Sequence, residues 1–500
     1  MANNSQPSPQ AVQTLINALN NGQLAQAETQ AKSLITQHAN AFILHHVLSL
    51  SLDGQQKYAE AVTSYQNAIN LQANADLFFN CAIALTQLNR LDEAANHYQQ
   101  AIKHQANFFE AHGNLGTILQ RQGKLDAAIS SYQAGLKINP TDARGHFNLG
   151  TVLRDKGDLP AAVNAYKKAI QLFPNYTDAH NNLGETLRDQ GNMPAAIKSY
   201  QAALALNPSH QNANYNMAEF LYLAKKYEEA IAYFERSQLD DWQARKLYCL
   251  YKAEKFDAFK ANRDALAGGM LNNSPFIATL STHFSINSNT PDPYNFCKNA
   301  LDFVYQNKIL AADSALLKDL LNDINTADIA ERKQGRLING QQSAGNLFKR
   351  PEASFRQLAE LIKQAFLNYK HKFAQADCAL IQSFPDELEF TSSWYVKMQQ
   401  GGHLSAHIHE IGWISGAVYL AMPPKNGLEG AFEYGTHGDD YPILAPKTAA
   451  DFPIAHIMPS VGDIVLFPSS LFHRTIPFYA EPFNSNQQRI CIAFDLKPTL

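Results

Sequence analysis

A repeat of 34 residues constrains this chain more than any other feature. Pro140, Pro174 and Pro208 stand one period apart, and Asn114-Leu115-Gly116, Asn148-Leu149-Gly150 and Asn182-Leu183-Gly184 recur with them. Gly123, Gly157 and Gly191 follow, then Ala128, Ala162, Ala196 and Ala230, each with an aromatic four residues on: Tyr132, Tyr166, Tyr200 and Phe234. These types prescribe two short antiparallel helices per unit. The first glycine removes bulk where the helices press together, the second supplies the left-handed residue that ends the first helix, and proline stops the second. Alanine and the aromatic share one face, so the ring is expected to pack into a neighbouring helix pair. A unit this small buries its apolar face only against its neighbours, which predicts a solenoid. Weaker copies appear at Ala94 with Tyr98, at Ala61 with Tyr65, and around Gly22 and Ala27; Tyr227–Ala230 and Trp242–Phe259 continue the series downstream.

This pattern resembles the tetratricopeptide repeat, with about seven repeats and a capping fragment over residues 6–268. The resemblance implies an all-α, right-handed solenoid with a concave groove. Asn80, Asn114, Asn148, Asn182 and Asn216 fall at one equivalent position in successive repeats. Amides spaced in this way can donate to and accept from the backbone of an extended peptide without reading its side chains. A similar asparagine ladder holds protein substrates in the tetratricopeptide superhelix of O-GlcNAc transferase, which implies a protein or peptide partner here. The other reading is a tolerated polar residue bonded to its own neighbouring turn. A solenoid end also suits homodimerisation.

Composition excludes several classes. The 500 residues carry 41 Lys+Arg against 45 Asp+Glu, a net charge of −4, with 45% hydrophobic and 17% charged. A basic nucleic-acid binder and a highly charged disordered chain are both ruled out. No apolar run reaches the length that crosses a bilayer, and the first residues lack a basic flank, so a soluble, cytoplasmic protein is expected with no membrane partner. The five cysteines are widely spaced, with no Cys-x-x-Cys pair, and read as buried thiols.

The 34-residue pattern is lost after Gly268-Gly269, so residues 1–270 are expected to form the solenoid. Residues 271–389 read as a linker and helical support, with helical spacing from Ser314 to Ile324 and from Pro351 to Phe373, and an irregular turn at Gly340–Phe348. Residues 390–500 change to β-rich runs: Phe390–Met398, Trp413–Ala421, Ile454–Met458, Ile464–Phe467 and Arg489–Leu496. The fold class is therefore α+β and multidomain.

Histidines concentrate in this last region: His403, His407, His409, His437, His456 and His473 lie within 71 residues. His407 and His409 sit at i and i+2, which on a strand point to one side, so both imidazoles can bind one metal ion. His473, where the stretch Gly462–Phe472 ends in a proline turn, is the best third ligand. His403, His437 and His456 read as surface groups or supports. Sixteen residues after His473, Arg489 opens the last strand.

Two histidines at i and i+2, a distant third and an arginine on the next strand resemble the double-stranded β-helix (jelly roll) of 2-oxoglutarate- and Fe(II)-dependent oxygenases. Gly401-Gly402-x4-His407-x-His409 has the spacing of prolyl-4-hydroxylase-like members. The resemblance implies Fe(II) on His407, His409 and His473, with Arg489 paired to the distal carboxylate of 2-oxoglutarate, a task suited to its planar fork. Ser415 and Tyr419 share a strand face and either line the cosubstrate pocket or pack the core; Trp394 and Trp413 read as core. One departure matters: most of the superfamily writes His-x-Asp or His-x-Glu, and here the second slot is His409. Glu410 is the nearest carboxylate but would face away on a regular strand, and Asp439 and Asp440 read as turn residues.

Two functions follow. One is a protein hydroxylase whose solenoid captures a polypeptide and whose β domain oxidises a side chain. The other is a non-enzymatic scaffold with a degenerate or cupin-like metal module. A cupin also offers Gly-x5-His-x-His, but its glutamate would fall at Trp413 or Ile414, and Arg489 favours the oxygenase.

Overall fold

The computed structural model describes residues 6–239, 241–269, 273–332, 335–384, 388–410, 412–424, 427–479 and 488–498. It divides into two compact units, Met1–Phe220 and Leu221–Leu500.

The first unit is helical throughout. Its pairs include Phe109–Arg121 with Leu125–Ile138, Ala143–Lys156 with Leu159–Leu172, and Thr177–Asp189 with Met193–Leu206. Turns of a few residues force each pair to fold back on itself. Gly157 ends its helix at φ 88°, and Gly123 and Gly191 take the same left-handed conformation. The tyrosine goes elsewhere than expected: it packs on the first glycine of its own repeat. A Cβ on Gly116, Gly150 or Gly184 would lie 2.9, 2.8 or 2.6 Å from the ring of Tyr132, Tyr166 or Tyr200. Ring and missing side chain are a matched pair, which is why they recur together. A second recurring device pins the turn between repeats. The Nε2 of His146 and His180 donates to the carbonyls of Pro140 and Pro174 at 3.1 and 3.0 Å, and Asn214 does the same to Pro208 at 2.9 Å.

The second unit begins with helices of the repeat type, Tyr227–Ser237, Trp242–Lys252 and Phe256–Gly269. The loss of the 34-residue pattern near residue 270 and the division at Leu221 mark different things. Leu247, Tyr251 and Phe259 from these helices share one buried cluster with Phe276, Phe284 and Phe296 and with β-strand residues such as Ile414 and Phe494. Helices at Ala315–Thr326 and Ala353–Lys372 occupy the two segments where helical spacing was read.

Among the described residues this unit has ten strands: β1 Tyr305–Lys308, β2 Glu331–Arg332, β3 Leu337–Ser343, β4 Leu388–Leu404, β5 Ile414–Ala421, β6 Phe432–Gly435, β7 Ile454–Ile457, β8 Asp463–Pro468, β9 Phe472–Thr475 and β10 Arg489–Pro498. They form an antiparallel seven-stranded sheet in the order β1-β8-β5-β10-β4-β3-β2 and an antiparallel three-stranded sheet in the order β7-β6-β9. The expectation of an irregular turn at Gly340–Phe348 is corrected, because Gly340–Gln342 pair with β4. Most of β3 is exposed and polar, so it carries no apolar alternation to announce it. β6 and β9, four residues each, escape for the same reason of length.

Candidate metal centre

The site is built on β10, which lies between β4 and β5. Its alternate residues Arg489, Cys491, Ala493 and Asp495 face one cavity of about 720 Å³. The same cavity receives Trp394 and Val396 from β4, Tyr419 from β5, and His407, His409 and His473.

Backbone geometry brings the histidines together. His407 lies just beyond β4, where its N–H donates to the His473 carbonyl at 3.1 Å and its carbonyl accepts the reciprocal bond from the His473 N–H at 2.9 Å. Cross-strand partners project to one face, so the two rings meet with centroids 4.3 Å apart. His409 completes the group, and a ligating nitrogen from each ring lies within 4.8 Å of the other two. The pair His407 and His409 therefore converges without being part of a regular strand.

Each imidazole is anchored through Nδ1. His407 Nδ1 faces the Ser405 carbonyl at 2.9 Å, His473 Nδ1 faces the Leu471 carbonyl at 3.3 Å, and His409 Nδ1 is hydrogen-bonded to Asp495 Oδ1. A nitrogen facing a carbonyl must carry the proton, which in a neutral ring leaves the lone pair on Nε2. Burial, reinforced by the charge of His409, pulls the His407 pKa down to about 3; burial and both neighbouring imidazoles hold His473 well below its ordinary value. Rings that turn Nε2 toward one another in this way are placed to hold a metal ion. The Nε2 atoms of His407 and His409 are 3.3 Å apart, close to the roughly 3 Å that two nitrogens about 2.1 Å from one ion at a right angle would show.

Arg489 supplies the second feature. Its guanidinium is buried and lies over the Tyr419 ring at 5.0 Å, with Nη1 3.8 Å from both Met398 Sδ and Cys491 Sγ. Its Nε has no hydrogen-bond partner, and among the described residues no carboxylate pairs with it. A buried cation in this setting is costly unless a ligand supplies the anion. The residues present fit a metal ion on three imidazoles and a carboxylate on Arg489.

The remaining candidates disperse. Tyr419 lines the cavity, but Ser415 lies behind it and bonds Asp495 Oδ1 and Ser469 Oγ, each at 2.7 Å. Glu410 is held by Arg245 at 2.9 Å, and the described residues' cluster of ligating groups contains only the three histidines. His456 pairs with Glu433 at 2.9 Å, His437 with the buried His283 at 2.8 Å, and His403 with the Gly401 carbonyl at 3.0 Å. Trp413 is core, its indole N–H donating to the Leu380 carbonyl, whereas Trp394 is a cavity wall whose ring centroid lies 5.7 Å from that of His409. The residue that the sequence reading missed is Asp495. Its even spacing from Arg489 on one strand was the available signal.

In the first unit, Asn80, Asn114, Asn148 and Asn182 are half-buried on successive repeats. Asn114 and Asn182 bond the hydroxyls of Tyr98 and Tyr166 from the preceding repeat. Asn216 is buried, donating to Asn181 Oδ1 and Glu185 Oε1 and accepting from Arg188.

Residues 392–495 match the family described as "Putative 2OG-Fe(II) oxygenase", and residues 79–143, 147–206 and 181–244 match the tetratricopeptide repeat. The chain joins tetratricopeptide repeats to a 2OG-Fe(II) oxygenase-family domain. The oxygenase-family match includes His407, His409, His473, Arg489 and Asp495. Similar solved structures include MamA, at 19% identity and TM-score 0.32 over 32% of this chain and 95% of that one. Others are YrrB, titled a TPR protein with an unusual peptide-binding site, at 20%, 0.35, 37% and 97%, and the C-terminal part of a repeat protein from Cytophaga hutchinsonii, at 16%, 0.41, 45% and 93%. No curated protein matches the chain. No helix among the described residues is long and apolar enough to cross a membrane.

Proposed function

We propose that the chain is a 2-oxoglutarate- and Fe(II)-dependent protein hydroxylase. The observation that carries this reading is the buried Arg489, which among the described residues lacks a carboxylate partner and faces the same cavity as three converging imidazoles. His407, His409 and His473 would hold Fe(II), and Arg489 would take the distal carboxylate of 2-oxoglutarate beside Tyr419. Bound together, iron and 2-oxoglutarate supply oxidative decarboxylation to succinate and CO2, coupled to oxygen insertion into a C–H bond.

The protein's own contribution is placement. Phe432 and Phe467 pack against His473 with ring centroids 5.6 and 4.6 Å away, and with Trp394 they make an apolar wall that excludes water beside the ligands. The repeats are the polypeptide-binding element, with the half-buried Asn80, Asn114, Asn148 and Asn182 as rungs, while Asn216, its amide bonded to Asn181, Glu185 and Arg188, ends the ladder as a structural member. All five cysteines are free and buried, which agrees with a reducing, cytoplasmic setting.

Anaerobic titration of Fe(II) with 2-oxoglutarate tests the reading through the visible charge-transfer band of the chelate. A band that Arg489→Ala abolishes supports it. No band in the unaltered protein, with 2-oxoglutarate binding indifferent to Arg489→Ala, leaves the scaffold reading in its place.

A further inference from the structure

Three neutral imidazoles leave a divalent metal with its full charge, whereas a His-x-Asp pair would bring a carboxylate to it directly. A carboxylate is nevertheless present one hydrogen bond further out. Asp495 Oδ1 accepts the Nδ1 proton of His409, the ring whose position the carboxylate would otherwise occupy.

The surroundings of Asp495 have the character of a built site. β10 pairs Asp495 with Ser392 on one side and Ser415 on the other, and both hydroxyls donate to it, Ser392 to Oδ2 at 2.8 Å and Ser415 to Oδ1 at 2.7 Å. Ser469 extends the network through Ser415. Gly412 leaves room for it: a Cβ there would stand 2.6 Å from Ser469 Oγ and 3.2 Å from both Asp495 Oδ1 and Ser415 Oγ.

We infer that Asp495 is a positioning residue that fixes the His409 tautomer and returns, through that imidazole, the negative charge missing from the His-x-His pair. Ser392 and Ser415 aim the carboxylate. A carboxylate on the distal nitrogen makes an imidazole a stronger donor and holds its ring plane. The inference rests on the three histidines being a metal centre.

Co(II) binding to the full chain tests it, read by calorimetry and by the visible ligand-field spectrum. Asp495→Asn keeps the shape and removes the charge; the expected result is a 10- to 100-fold loss of Co(II) affinity with a shifted spectrum and an unchanged circular dichroism profile. Asp495→Glu is expected to recover part of the affinity. Should Asp495→Asn fail to fold, Ser415→Ala removes one aiming hydroxyl and is expected to weaken Co(II) several-fold. Wild-type affinity and spectrum in Asp495→Asn, or in Ser415→Ala where that is the variant that folds, would overturn the role of Asp495 while leaving the metal centre standing. Absence of Co(II) binding by the unaltered chain, or binding unaffected by His407→Ala, would overturn the metal centre and this inference with it.

Discussion

Two sets of histidines, one in each region, are anchored in opposite senses. In the repeats, His146 and His180 commit Nε2 to the carbonyl of the preceding inter-repeat turn. In the oxygenase-family domain, His407, His409 and His473 commit Nδ1 and leave Nε2 facing the other rings. Nδ1 sits next to the backbone attachment and can reach a nearby carbonyl while the ring still points outward; Nε2, at the far end, is spent when it makes the anchoring bond. Anchoring through Nδ1 is thus a requirement for a candidate ligand and not a sufficient mark of one: His97 and His403 are also bonded through Nδ1, and only His407, His409 and His473 converge among the described residues.

Exchanging the two kinds should break the comparison most sharply. His473→Ala is expected to reduce Fe(II) or Co(II) affinity by at least about 100-fold, since even groups behind the ligands typically matter by 10- to 100-fold. His180→Ala is expected to leave metal binding unchanged and to cost about 0.5–1.5 kcal/mol of stability, the net worth of one hydrogen bond. Calorimetric metal titration beside denaturant unfolding reads both. A metal defect in His180→Ala would end the distinction.

Arg489 sharpens the contrast from the other side, because a part-buried arginine of the repeats has carboxylate partners. Arg154 reaches both Glu185 and Asp189. Arg489→Met is expected to weaken 2-oxoglutarate by about 2–5 kcal/mol, the usual effect of removing one partner of a buried charge pair, and to raise the melting temperature of the ligand-free protein because an unpaired buried charge is gone. Thermal shift with and without 2-oxoglutarate measures both effects. A lower melting point together with undiminished ligand response would show the arginine to be structural.

The parts legible in sequence are those where one residue type has one physical reason to be there. The repeat was legible because glycine, alanine, aromatic and proline positions recur together, and the structure adds why Gly150 goes with Tyr166: the ring occupies the place of the missing side chain. His407, His409 and His473 were legible because i, i+2 spacing and a strand end both limit where a ring can point. Asp495 was not, although it shares a face with Arg489. Its meaning comes from the register that sets Ser392 and Ser415 beside it, and a period of two does not specify register between strands. Asn216 was read as equivalent to Asn148, yet the neighbouring repeat supplies Asn181, Glu185 and Arg188 and absorbs its amide. Sequence position gave the rung; its neighbours decided its use.

His283 extends the comparison to pH. It is fully buried between Tyr251 and His437, at 2.7 and 2.8 Å, and burial first, then the charge of His437, pulls its pKa down to about 3. An unfolded histidine titrates near 6.5, so the stabilisation is complete above about pH 6.5 and is lost as pH falls from there toward 3. One such group contributes a slope of roughly 1.4 kcal/mol per pH unit within that window. His283→Gln should lower stability at neutral pH and flatten the slope by about that amount in urea unfolding of metal-free protein between pH 6 and 4. An identical slope in His283→Gln would mean that His283 is not held neutral by the fold.

The smallest expected effect concerns the asparagines. Asn216→Ala removes a buried amide and leaves the buried Asn181 short of a partner, beside the half-buried Glu185 and the exposed Arg188, and is expected to cost about 1–3 kcal/mol, the penalty for leaving a buried polar group unsatisfied. Asn148→Ala, at a half-buried rung, is expected to change stability by no more than about 0.5 kcal/mol while reducing peptide capture in a pull-down by the full chain. The two variants separate a rung that can face a ligand from one that the solenoid has consumed. Equal stability losses would make the ladder structural along its length, and undiminished capture by Asn148→Ala would remove it from the binding surface.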